Sequence, residues 1–152
     1  MIEIKQLDPT PEAIDYAWSI FSAPEIKRVM PSDYSISEFV QWIDMWRVGF
    51  TRVYLPLSNG EGMGICHGNM YSETQFIGHY SFLKKWWGKG TRDATKACMA
   101  RVQDDLGISK FVGLIPKTNP RSKRHAMNLG FTEVGEFEND RYGWCWDMRM
   151  EI

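Results

Sequence analysis

A chain of 152 residues, 43% hydrophobic and 14% aromatic, can bury one core, and a single domain over residues 1–152 is the expectation. Eighteen Lys and Arg against nineteen Asp and Glu leave a formal charge of −1, which excludes a global footprint for nucleic acid or an anionic membrane; any anion binding has to be local. Cys66, Cys98 and Cys145 lack the paired spacing of a zinc or redox motif, charges at Glu3, Lys5 and Asp8 exclude a signal peptide, and no apolar run approaches ~18 residues, so a soluble cytoplasmic protein without a metal site is expected.

Alternation over residues 2–7 predicts a first strand, closed by Asp8-Pro9. Thr10 as N-cap and Pro11 at the first helical position open a helix to about Ser22, with Ala13, Ile14, Ala17, Trp18 and Phe21 on its apolar face. After a loop or short helical turn over residues 24–36, a second helix follows Ser37 to about Val48. The period then becomes that of strands, over 51–57, 63–71 and 75–83, joined by short connections as an antiparallel meander. A helix follows Gly90 and ends at the cap Gly107; a buried strand covers 110–115; Asn119-Pro120 caps a short helix ending at Gly130; strands over 131–137 and 144–150 close the chain.

The segment from Lys85 through Trp86, Trp87, Gly88, Lys89 and Gly90 to Thr91 joins a strand to a helix. Glycines there permit positive φ, and the uncapped N–H groups and dipole of the helix favour an anion, which is the physics of a pyrophosphate cradle. The alternative is a plain tight turn. P-loop spacing is absent, and a GxGxxG fingerprint fails because position 93 is Asp.

Lys85-x-x-Gly88-x-Gly90 resembles the Q/RxxGxG/A signature of the GNAT N-acetyltransferases, with Lys where Gln or Arg is usual. The preceding strand, YSFLKKWWGKGT from Tyr80, is similar to the branch that modifies ribosomal protein N-termini, and TNPRSKRHAMNLGF over residues 118–131 resembles the family's second recurrent segment. The resemblance implies an α/β acyl-CoA N-acyltransferase fold, a mixed sheet of about seven strands with splayed central strands and about four helices, with acetyl-CoA as cofactor. It implies that backbone groups of Phe82 and Leu83 pair with the pantetheine arm, one N–H near Leu83 facing the thioester carbonyl. Lys85, Trp87, Gly88, Lys89, Gly90 and Thr91 would form the phosphate loop, and Asn119 and Ser122 the second half of the site.

Many members carry a Tyr acid where this chain has Ala126; in the ribosomal-protein branch a Ser takes that role, which points to Ser122, otherwise a first-turn helix residue. His79 is the candidate base, otherwise a histidine packed in the sheet; His67, Glu73 or a water chain are alternatives. Lys117, Arg121, Lys123 and Arg124 surround the second segment, where the family binds the 3′-phosphate and pantetheine, or form a solvated face. The acceptor expected is a small-molecule amine or a protein N-terminus, with Asp33, Glu38 and Asp44 able to receive its cation, and Trp144 with Trp146 could mark a dimer face. A competing reading is a catalytically silent GNAT-like protein, since the run from Ile77 also resembles small tailed-bacteriophage proteins of head-assembly or virion type.

Overall fold

Each element starts where a side chain or a proline satisfies the backbone locally. In the computed structural model, which describes residues 1–28 and 35–152, strand β1 (Ile2–Gln6) leads into α1 (Pro11–Phe21), and Thr10 Oγ1 accepts the Ala13 N–H at 3.2 Å. A short α2 (Pro24–Lys27) has Pro at its first turn. Helix α3 (Ile36–Arg47) begins ahead of the Ser37 expected from spacing, because Ser35 Oγ accepts the Glu38 N–H at 3.3 Å and is the true cap. Asp33 lies outside the described residues.

The sheet strands are β2 (Thr51–Ser58), the two-residue β3 (Glu61–Gly62), β4 (Gly64–Met70), β5 (Gln75–Phe82), β6 (Lys110–Pro116), β7 (Thr132–Asn139) and β8 (Gly143–Glu151). Helices α4 (Thr91–Leu106) and α5 (Pro120–Leu129) flank β6 in the chain. The order is β1-β2-β4-β5-β6-β8-β7, with β3 on β2, and every pairing is antiparallel except β5 with β6. The expected strand 63–71 is broken near Gly64, whose φ of 154° and a Cβ that would sit 2.0 Å from the Ser81 carbonyl oxygen both require glycine.

Two hydrophobic layers sandwich the sheet. On one face Ala94, Cys98 and Val102 of α4 pack on Tyr54, Cys66, Phe76, Phe82 and Phe111. On the other, α1 and α3 bring Ala17, Ile20, Phe21, Phe39, Ile43 and Trp46 onto Val53 and Ile65. Val53 and Tyr54, like Ile65 and Cys66, are sequence neighbours that feed opposite layers, as strand alternation requires. Each large side chain so buried contributes roughly 1.5–3 kcal/mol. No helix among the described residues is long and apolar enough to cross a membrane.

The central strands part company. β5 and β6 pair only over Gln75–Ile77 with Lys110–Val112, while β5 continues along β4 to Phe82 and β6 along β8 to Pro116. Each strand keeps its outer neighbour and loses its inner one, and a cavity opens between them that reaches both faces, to His79 and His67 on one side and to Tyr80, Thr95 and Ser122 on the other.

Candidate active site

At the far end of the splay, Gly88 and Gly90 take φ values of 75° and 88°, and Gly90 is the N-cap of α4. It offers no side-chain cap, so the first-turn amides of a sixteen-residue helix look outward unsatisfied by the chain's own side chains. A Cβ at Gly88 would meet nothing within 4 Å, so glycine is needed there for its φ and not for space. A cavity of about 420 Å³ opens on this terminus, lined by Gly88, Gly90, Thr91 and three arginines, Arg92, Arg121 and Arg124. Trp87 walls it: its Nε1–H donates to the Phe82 carbonyl at 2.9 Å, and the Arg121 guanidinium carbon lies 4.4 Å from the centroid of its ring. These donors fit a diphosphate.

The cations that line this cavity are not those singled out by the motif. The Lys85 ammonium is paired with Glu61 of β3, and Lys89 is exposed with its N–H donated to the Trp86 carbonyl at 2.8 Å. Lys117 binds Glu136 at 2.7 Å and Lys123 binds Glu133 at 2.5 Å, both toward β7. Their ammonium groups also cover the indoles of the expected apolar patch, Lys123 lying 4.3 Å from the Trp146 centroid and Lys117 5.9 Å from that of Trp144. Arg121 and Arg124 are the members of that basic cluster that line the cavity.

Strand parity corrects a second expectation. The Leu83 N–H donates to the Met63 carbonyl at 3.1 Å, and the Tyr71 N–H to the Gln75 carbonyl at 2.7 Å, so odd-numbered residues of β5 turn their backbone groups toward β4. The Leu83 N–H is therefore spent inside the sheet. The even-numbered residues face the gap left by β6, and beyond the last pair, Ile77 with Val112, these are Gly78, Tyr80 and Phe82. The Phe82 carbonyl is taken by Trp87, which leaves the Phe82 N–H and the Tyr80 backbone without a strand partner on that side.

Across the gap, Asn119 Oδ1 caps α5 by accepting the Ser122 N–H at 3.2 Å. The Ser122 hydroxyl lies 2.7 Å from the Tyr80 hydroxyl, and the Tyr80 O–H also donates to the Ser122 carbonyl at 3.0 Å. Tyr80 is a residue that the motif reading passed over; its place beside Ser122 bridges β5 and α5. Burial pushes its pKa well above the usual phenol range, partly offset by the serine hydrogen bond. His125 stands against the Tyr80 ring at 4.8 Å, and its Nε2 meets Thr95 Oγ1 at 3.0 Å. Thr95 spends its one proton on the Thr91 carbonyl at 2.8 Å, so His125 donates and is the Nε2–H tautomer.

On the opposite face His79 stacks on His67 with centroids 5.1 Å apart. Burial lowers the pKa of His79 to about 4 and that of His67 well below its usual value, with His79 adding to the latter. Both are neutral near pH 7, but an imidazole so depressed is a weak base. Glu73 is exposed in the turn ahead of β5, at the opposite end of the strand from the glycine loop. Glu38 is paired with Arg141, and Asp44 with Arg47 at 3.8 Å, so the two expected acceptor carboxylates among the described residues already hold a cation. Glu25 of α2 belongs to no motif of the sequence: it accepts the Lys84 N–H at 3.1 Å, and a bond to its own N–H, followed by that one, holds its pKa below the usual range. It lines the cavity together with Ser81 and Phe82.

With the splay, the uncapped helix and the arginines in view, the class is an acyl-CoA acyltransferase fold. A family model described as an acetyltransferase (GNAT) domain matches residues 2–132, and the chain belongs to the GNAT acetyltransferase family. As a member it is an N-acetyltransferase with acetyl-CoA as acetyl donor. Among solved structures it is similar to a spermidine N-acetyltransferase from Vibrio cholerae in complex with CoA and spermine, with TM-score 0.77 and 14% identity over 99% of this chain and 95% of that one. An aminoglycoside acetyltransferase in complex with coenzyme A gives TM-score 0.81 at 12% identity, covering 99% and 95%. A ribosomal-protein-S5-alanine acetyltransferase from Vibrio fischeri gives 0.75 at 12%, covering 99% and 92%. No curated protein sequence matches significantly.

Proposed function

We propose that this chain transfers the acetyl group of acetyl-CoA to a primary amine by direct attack, the acceptor being a cationic small molecule or a protein N-terminus that docks beside Glu25. The observation that carries this reading is the continuity of donors from the uncapped start of α4 to the unpaired edge of β5. Gly88, Gly90 and Thr91 with Arg92, Arg121 and Arg124 would hold the diphosphate, and Trp87 and Asn119 would wall the path. When bound, acetyl-CoA supplies an activated acyl group whose carbonyl oxygen gains negative charge on attack.

The Phe82 N–H faces the gap and would stabilise that charge, a contribution of about 3 kcal/mol by analogy with oxyanion-hole donors. Ser122 stands with its hydroxyl at the same gap, joined to Tyr80. The depressed pKa of His79 favours a role for it, and for His67, as neutral wall of the acceptor side, with the ammonium proton passing to water. The Glu25 carboxylate would attract the acceptor's cation and hold the amine at the mouth of the cleft.

Calorimetric titration of CoA and acetyl-CoA into the protein tests the donor half. Micromolar binding that a Gly88→Glu, Gly90→Glu double variant abolishes is the expected result. A well-folded wild-type protein that binds neither would favour the silent, virion-type reading, which requires no cradle.

A further inference from the structure

We infer that Tyr80, a phenol delivered from the sheet, is the proton donor to the departing sulphur, with Ser122 as the group that recharges it. The inference rests on the acetyltransfer reading above and deepens it. Ala126, in the helix, leaves the cavity without a phenol from that side, and Tyr80 lines both that cavity and the glycine-loop cavity. Tyr80 and Ser122 therefore belong to the wall that the two spaces share.

The hydrogen bonds set the direction of proton flow. The Ser122 carbonyl can only accept, and with the Tyr80 O–H directed to it at 3.0 Å the 2.7 Å contact is Ser122 Oγ–H donating to Tyr80 Oη. When the phenol proton turns from the Ser122 carbonyl to the sulphur, Ser122 Oγ–H is in place to supply its replacement. Burial keeps Tyr80 protonated throughout the physiological range and weakens it as an acid, while the Ser122 hydrogen bond, which favours the phenolate, acts in the opposite sense. The titratable groups around it are His125 of α5 against its ring and Cys66 of β4, with Arg92 and Arg124 on the adjoining cavity wall.

In the transfer, the amine nitrogen bonds to the acetyl carbon, the carbon–sulphur bond breaks with its electron pair on sulphur, and the Tyr80 proton goes to that sulphur. Tyr80 takes the Ser122 proton, and the serine is recharged, through water, by the proton that the amine sheds. From the neutral amine, amide and thiol are formed with no net proton gained or lost, the ammonium proton having passed to water beforehand.

The test is a pH titration of the thiol of CoA bound to the whole protein, followed by thiolate ultraviolet absorbance, beside turnover on spermidine, an aminoglycoside and an alanine-initiated peptide. A phenol donating to sulphur stabilises the thiolate, so Tyr80→Phe should raise the bound thiol pKa by about one unit. On whichever amine is turned over it should lower kcat about 100-fold or more, with the KM for acetyl-CoA nearly unchanged. Ser122→Ala should lower kcat to a smaller extent. A Tyr80→Phe protein that binds CoA with an unshifted thiol pKa would overturn the role, and a purely structural tyrosine would change only the unfolding midpoint. Failure of the wild type to bind CoA would instead remove the acetyltransfer reading beneath it.

Discussion

Trp42 of α3 donates its indole N–H to Nδ1 of His67 on β4 at 3.3 Å, and this single bond assigns the imidazole tautomer. With Nδ1 accepting, the proton of neutral His67 sits on Nε2, which is buried without a partner among the described residues. Phe21 and Trp42 meet the ring edge-on and His79 stacks on it. Among the described residues a charged imidazole has no counter-ion there.

A pH dependence of stability follows. The folded pKa of His79, about 4, lies below its ordinary 6.5, so the unfolded chain binds more protons and stability falls as pH drops from about 6.5 toward 4. The loss is on the order of 2–3 kcal/mol at pH 4, with His67 adding in the same direction. Urea midpoints measured across this range for wild type and His79→Phe should converge at low pH; parallel curves would disprove the assignment.

The pairing of Lys85 with Glu61 separates it from the cleft, whereas Arg121 reaches it. Arg121→Ala should weaken CoA binding about tenfold or more, the worth of a charge-assisted contact. Lys85→Ala should change it by less than about fivefold, because an exposed pair contributes at most ~1 kcal/mol. Calorimetry on both variants reads this, and the reverse ranking would restore the motif lysine as the phosphate ligand.

Asn119 has two duties. Losing its cap on the Ser122 N–H should cost about 1 kcal/mol, a fall of ~2–4 °C in Tm. Because the same bond sets where Ser122 stands, Asn119→Ala should also lower kcat, while Asn119→Asp keeps the cap. Equal kcat values for the two variants would separate Asn119 from the chemistry.

Glu25 is expected to act on the acceptor alone. Glu25→Gln should raise the KM of a cationic amine about tenfold and leave CoA binding unaltered, and the difference should shrink with salt. Steady-state kinetics at low and high ionic strength decide it; a salt-independent KM would remove Glu25 from acceptor recognition.

The sequence by itself determined most of the elements and those ends that are set by a local cap. Thr10 and Asn119 satisfy helical N–H groups three residues on, and Gly107 and Gly130 end helices with φ of 64° and 111°; these are interactions within one turn of chain, readable from neighbours. The glycine loop was legible for the same reason, and the likeness of its motif carried the splay. Only the tertiary structure decided which groups face the gap. That Phe82 and not Leu83 turns outward depends on the Leu83 bond to Met63, and a shift of one residue in register would reverse it. Tyr80 meets Ser122 across 42 positions, Lys85 meets Glu61, and Glu25 meets Lys84 because sheet pairing and helix docking bring distant residues together. Backbone sterics act over a few residues and leave their mark in local sequence, whereas side-chain partnership is set by how the strands pair and the helices dock.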